Sequence, residues 1–532
     1  MGEIRLLDCT LRDGGYVNDW KFGHNNIVNI FERLVSAGVD IIEVGFLDER
    51  RSYDYARTIM PDSNAVEQIF KNLDCGDSML VGMIDYGTCD ISRIMPCQES
   101  LLDGIRVIFK KHLREEAMVF CGELKKLGYK VFAQLVSITS YADDELMDLI
   151  RLANKIKPYA VSMVDTYGLM HQENLMHYFR LLDHYLNTDI AVGYHSHNNF
   201  QMAYANCIEF LAQKVERDIL LDGTIYGMGK SAGNAPIELL TMHMNQHYNK
   251  KYDTSQILEA IDSSVMEFYQ KKPWGYNMFY YISASNDCHP NYVSYLMNKR
   301  TLSVKSISQI LDGLKEDKKL LYDEVYIEQC YIDYQTHEVN DQKVYEQLKD
   351  AFSGKNVVLV GPGRSLLLKR EQLLQSKEYQ NSVRIAINFI PEGIPVDYLF
   401  LTNAKRYLML STILAGDRNA PLIIATSNVT SMHNDFSYII NYSTLLEKNA
   451  SIVDNSLLML LKLLSHLNVL SIGLAGFDGY IGDGIANYVE QNMEYCFTEK
   501  MAEDLNTYVS KFLKKYQESN SVFFLTESLY DV

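Results

Sequence analysis

His195 and His197 stand two residues apart in Val192-Gly193-Tyr194-His195-Ser196-His197-Asn198-Asn199. The run reads as a strand leading into a polar loop. Side chains two apart on a strand point to the same face, so both imidazoles face one side and Ser196 the other. Two neutral imidazoles side by side suit a divalent metal; with no ligand they would be two polar strand-end histidines. Asp13, in Asp8-Cys9-Thr10-Leu11-Arg12-Asp13-Gly14-Gly15, offers the carboxylate that would complete an Asp/His/His set. Mixed oxygen and nitrogen ligands with open positions fit Mn²⁺ or Mg²⁺, leaning towards Mn²⁺, with Zn²⁺ and Co²⁺ as alternatives. The open positions would take a chelating small molecule such as a 2-oxo acid, whose ketone the metal would polarise. Arg12 could stabilise a developing enolate oxygen, form a salt bridge to Glu43 or Asp8, or do both. Asn234, in Gly227-Met228-Gly229-Lys230-Ser231-Ala232-Gly233-Asn234, offers a carbonyl oxygen as a further ligand. Its glycines would let the backbone approach a ligand closely, although the same turn also reads as a plain loop.

Such residues meet only if the surrounding elements carry them to one place. Eight short apolar runs are strand candidates: residues 5–10, 41–46, 79–84, 104–109, 130–135, 160–165, 189–194 and 221–226. Amphipathic stretches such as 25–37 and 141–156 separate them, and strand plus helix recurs every ~30 residues. Eight βα units predict a parallel sheet closed as a (β/α)8 TIM barrel, with its site at the carboxyl ends of the strands. Polar residues gather just there: Arg12 and Asp13, Glu43, Asp85, Lys110, Gln134, Asp165 and Thr166, His195 and His197. Glu43, Gln134 and Thr166 are the candidate substrate contacts. Cys9 lies near the site but reads as a small core filler.

The first motif, Asp165-Thr166-Tyr167-Gly168, the histidine run, and Gly227 to Asn234 with Ala235-Pro236 together resemble the pyruvate-carboxyltransferase-like, HMG-CoA lyase-like metallo-barrels. Within that superfamily they look closest to the 4-hydroxy-2-oxovalerate aldolases, over roughly residues 4–300. The resemblance implies a divalent metal on Asp13, His195 and His197, with Asn234 as a further ligand and Arg12 beside the substrate oxo group. It implies an aldolase or lyase that makes or breaks a carbon–carbon bond through a pyruvate-type enolate, with a 2-oxo acid and an aldehyde as small-molecule partners. The sequence sets no direction, so a condensing, synthase-type transferase of acyl or pyruvate units is the alternative. One departure stands out. The aldolases carry a histidine a few residues after the metal aspartate, and here Tyr16 holds about that position. A phenol near its ordinary value of ~10 is a poor base; His24 lies farther on. The tyrosine that these aldolases take from their helical extension would correspond to Tyr280 or Tyr281; the catalytic candidates are Arg12, Tyr16, which could relay a proton, and Tyr281. A barrel without its base could instead be a scaffold for the C-terminal domain.

With 532 residues the chain predicts several domains: a barrel at 1–250, a helical extension at 251–350 and a Rossmann-like α/β domain at 351–532. In the last, a strand at 357–360 leads into Gly361-Pro362-Gly363-Arg364-Ser365. That turn could cradle a phosphate at a helix start, although it is not a dinucleotide fingerprint and also reads as a structural βα turn. Gly361, Gly363, Ser365, Asn455 and Asp478 are the candidate ligand contacts, Asn455 reading equally as a helix cap. Their spacing weakly resembles Rossmann-like domains of sialyltransferase type, which implies a nucleotide or sugar ligand. The net charge of −18 without a basic stretch argues against nucleic acid. No apolar run reaches membrane-spanning length, and the start lacks a signal-peptide pattern. Nine cysteines without a C-x-x-C pattern suggest free thiols in a reducing cytoplasm. A homo-oligomer is the common expectation for such an enzyme.

Overall fold

The computed structural model describes residues 2–319, 322–416, 420–447, 453–482, 487–489 and 498–530. The chain forms two compact units, Met1–Pro290 and Asn291–Val532. Of the stretch expected as one helical extension, residues up to 290 belong to the first unit and the rest to the second.

In the first unit eight parallel strands follow one another round a barrel: β1 (Ile4–Asp8), β2 (Ile41–Leu47), β4 (Met79–Asp85), β5 (Gly104–Phe109), β6 (Lys130–Leu135), β7 (Ala160–Asp165), β8 (Ala191–Ser196) and β9 (Ile219–Gly223), with the two-residue β3 (Ile59–Met60) beside β2. Pairing of β1 with both β9 and β2 closes the ring. These strands are buried on both faces, as continuous apolar runs require. Helices cover the outside: Ile27, Ile30, Phe31 and Leu34 of His24–Ser36 form one buried stripe, spaced as a helix face demands. Inside, Leu7, Ile41, Val81, Phe132, Ala160, Ala191 and Leu220 form an apolar layer.

Two strands end earlier than the apolar pattern suggests. Asp8 accepts hydrogen bonds from the Thr10 amide (2.8 Å) and hydroxyl (2.7 Å), so the chain leaves β1 and turns at once into the short helix Thr10–Asp13. After β9, Tyr226 adopts a left-handed conformation (φ 54°) and the strand gives way to a turn. Both changes point the following polar residues over the barrel mouth.

Among the described residues of the second unit, seven strands form an open, wholly parallel sheet. They are β10 (Asn356–Val360), β11 (Val383–Ile387), β12 (Tyr398–Leu401), β13 (Leu422–Thr426), β14 (Tyr438–Ile440), β15 (Ser471–Ala475) and β16 (Val522–Phe524), in the order β14-β13-β12-β11-β10-β15-β16. Val357 and Leu359 face one core with Leu457–Leu464 and Val509, while Val358 and Val360 face another with Leu366 and Tyr407. Helices therefore cover both faces, the doubly wound arrangement. The edge strands β14 and β16 are three residues long, too short to show as periodicity. The order reverses between β10 and β15, the switch point at which such sheets hold ligands.

Candidate metal centre

Asp13, His195 and His197 meet at the carboxyl end of the barrel, all buried, with one donor atom of each lying within 4.8 Å of the others. Each histidine is held by its Nδ1. That of His195 lies 3.0 Å from Asp222 Oδ2, and that of His197 donates to the Lys230 carbonyl at 3.2 Å. A carboxylate and a carbonyl only accept, so both Nε2 lone pairs are left for a ligand, and His195 Nε2 is 3.7 Å from Asp13 Oδ2. Asp13 Oδ1 accepts from Asn234 Nδ2 and from the Lys230 amide, both at 2.9 Å. Burial would raise the Asp13 carboxyl, but Arg12, His197, His195 and Asn234 outweigh it and hold it well below the usual range. Burial, with the neighbouring His195 and Lys230, pushes His197 down to about 3 against the pull of Asp13. The set is thus one carboxylate and a neutral imidazole beside His195, which suits a divalent cation.

A further donor points the same way. Asn234 uses its amide nitrogen on Asp13 and on the Met228 carbonyl, while its buried Oδ1 has no hydrogen-bond partner among the described residues. An orphaned buried oxygen is costly unless something occupies it. Gly229 makes the approach possible, since a Cβ there would overlap Asn234 Nδ2 and lie 2.6 Å from Asp13 Oδ1. Cys9, His195 and Asp222 also cluster, but burial keeps the Cys9 thiol protonated and its Sγ donates to the Gly223 carbonyl at 3.4 Å.

Beneath the cluster runs a chain of buried charges. Arg12 pairs with Asp13 and, through Nε at 2.7 Å, with Glu43; Glu43 takes a second bond from Arg106 at 3.0 Å; Arg106 also pairs with Asp222. Three carboxylates face two guanidinium groups, a surplus that a cation would offset. Arg106 and Asp222 were not among the candidates from sequence. Their signal was a lone charge inside an apolar strand, legible only once β2, β5 and β9 are known to meet.

The remaining candidates separate. Glu43 lies in this chain, with Oε1 unpartnered among the described residues. Gln134 is fully engaged, accepting from Arg106 at 3.0 Å and donating to Ser162 at 3.1 Å. Thr166 accepts the Ser137 amide at 2.7 Å, and Asp165 ties the turn at Leu169 and Met170. Tyr16 is 39% exposed, its ring edge-on to Trp20 at 4.9 Å; its crowded surroundings and then Asp13 push the phenol up to about 12. Tyr281, on the helix Met278–Ser285, is 48% exposed, with its ring 6.4 Å from Phe200. Lys230 contributes what the sequence did not single out. Its Nζ lies 5.6 Å above the Tyr16 ring and 6.0 Å above that of Tyr167, with no ion-pair partner among the described residues.

A family model described as HMGL-like matches residues 3–263. A 4-hydroxy-2-oxovalerate aldolase of Pelotomaculum thermopropionicum is 28% identical, over 51% of this chain and 78% of that protein. An oxaloacetate decarboxylase of Mycobacterium tuberculosis is 27% identical, over 51% of this chain and 80% of that protein. The solved N-terminal domain of a candidate aldolase from Bacteroides vulgatus is 24% identical with a TM-score of 0.49, covering 57% of this chain and 99% of that one.

Proposed function

Because residues 3–263 form an HMGL-like domain, we propose that the barrel is a divalent-metal-dependent lyase cleaving a carbon–carbon bond beside the oxo group of a 2-oxo acid, of the 4-hydroxy-2-oxovalerate aldolase kind. The observation that carries this reading is the buried Asp13, His195 and His197 set with the unpartnered Asn234 Oδ1 beside it. These four side chains would hold Mn²⁺ or Mg²⁺, which when bound supplies Lewis acidity at the substrate carbonyl. Arg12 is fixed by Glu43 and Asp13, a rigid cation at the place where negative charge develops during cleavage. Lys230, stacked over two tyrosines, is placed to take the substrate carboxylate.

Tyr16 favours a second reading. Aldol cleavage needs a base for the substrate hydroxyl, and a phenol pushed up to about 12 is a weak one. Decarboxylation of a 2-oxo diacid releases CO₂ and needs no such base, and the relative named oxaloacetate decarboxylase is about as similar as the aldolase. Proton NMR in D₂O tests both. Mn²⁺-dependent deuterium exchange into the pyruvate methyl group, abolished by EDTA and by Asp13→Ala, is expected; exchange indifferent to both would overturn the site. Oxaloacetate and 4-hydroxy-2-oxovalerate, offered in turn, then separate the two reactions.

A further inference from the structure

The candidate contacts expected round a phosphate in the second unit are engaged within the fold. The Ser365 amide donates to Asp478 Oδ2 at 2.7 Å and its hydroxyl to Oδ1. The Gly361 and Gly363 amides donate to the Ala475 and Gly476 carbonyls, both at 2.8 Å, and Asn455 accepts the Leu457 and Leu458 amides as a helix cap. At the barrel mouth, by contrast, one acid is unused. Asp85 is the last residue of β4 and is half-buried. Its carboxylate has no hydrogen-bond or ion-pair partner among the described residues.

Strand geometry decides where that carboxylate points, since side chains two apart share a face. Val81 lies in the apolar layer inside the barrel, and Met83 packs with Phe46 and Ile59 one step nearer the mouth, so Asp85 stands on the interior face above them. The Tyr16 ring rests 6.4 Å from that of Phe46, and the Arg12 guanidinium lies 5.8 Å over the same ring. Asp13 and Asp85 both act on Tyr16 and on Lys230, which makes these two side chains common neighbours of the metal set and of this acid. The charged groups facing Asp85 are Lys110, Arg50, Asp48 and Lys230, with Asp48 holding Arg50 at 2.7 Å. Burial raises the Asp85 carboxyl, and Asp48 adds to the rise, against the pull of Lys110, Arg50 and Lys230. A carboxylate raised towards neutrality is a stronger base than an ordinary one.

Resting on the aldolase reading above, we propose that Asp85 is the base that takes the proton of the substrate's C4 hydroxyl. Its carboxylate gains that proton, and the O–H electron pair becomes the carbonyl bond of the departing aldehyde. The C3–C4 bond breaks, and its pair passes into the enolate of pyruvate. The proton leaves to water and C3 takes one from water, so one hydroxy-oxo acid yields one pyruvate and one aldehyde. The Tyr16 phenol then needs no ionisation. The test uses the Mn²⁺-loaded full chain and 4-hydroxy-2-oxovalerate. A general base contributes roughly 10²–10⁴-fold, so Asp85→Asn is expected to lower kcat for cleavage about a hundredfold or more with little change in KM. Added formate is expected to restore part of the rate in Asp85→Ala. Both variants are expected to release CO₂ from oxaloacetate and, by titration calorimetry, to bind Mn²⁺ as the wild type does. Cleavage by Asp85→Asn within about tenfold of wild type, a rise in KM alone, or an equal loss of both reactions overturns the assignment of Asp85. A wild-type protein that exchanges the pyruvate methyl protons yet cleaves no 4-hydroxy-2-oxo acid overturns the aldolase reading, and this assignment with it.

Discussion

Asp222 touches no open position of the proposed centre, yet it fixes the His195 ring by its Nδ1. Removing such a support costs a metal site about 10–100-fold in affinity. Asp222→Asn is therefore expected to weaken Mn²⁺ binding by that factor, measured by titration calorimetry, while Asp13→Ala abolishes it. Lys230→Met keeps the length of the side chain and loses the charge. If Lys230 takes the substrate carboxylate, KM rises tenfold or more and kcat changes little; a fall in kcat alone would assign it elsewhere. The histidine pair was legible because a period of two on a strand is a local pattern. Asp13 was legible from the polar end of its run, and Asn234 from the glycine-rich turn after the eighth run. Arg106 and Asp222 were not, because their partners are distant in sequence and only ring closure supplies them.

The loops that carry these groups are as demanding as the ligands. Gly229 has no room for a side chain beside Asn234 and Asp13, so Gly229→Ala is expected to abolish Mn²⁺ binding with a small change in Tm, read by calorimetry on one sample. The turn after β7 is held by Asp165, which burial raises to about 7. A carboxyl raised in the fold keeps a proton that the unfolded chain has released, so its contribution to stability falls as pH rises from about 4 to about 7. Against Asp165→Asn, wild-type stability is expected to fall by up to about 1.4 kcal/mol per pH unit across that window, measured by urea melts; parallel profiles would mean the carboxyl is ionised throughout. The barrel strands were readable as unbroken apolar runs, and their number gave the closed ring. Their exact ends were not, since the exits are set by Asp8 bonding its own turn and by the left-handed Tyr226. In the second sheet the glycine turn was visible, but not that Asp478, over a hundred residues away, fills it.

Each unit has its own core, so scanning calorimetry is expected to resolve two transitions. Ligand present at a hundredfold excess over its Kd adds about 2.7 kcal/mol to the unit that binds it. Mn²⁺ should then raise one transition and leave the other in place; a shift of both together would mean the units unfold as one. The division at Pro290 escaped sequence reading because helices lie on both sides of it, and only packing assigns them. The bond from Asn234 to Asp13 spans 221 residues, which makes the centre among the last things the chain can assemble. Long-range closures of this kind are slow, so metal should not template early folding, and the rate of Mn²⁺ capture during refolding becomes a clock for the moment the ring shuts.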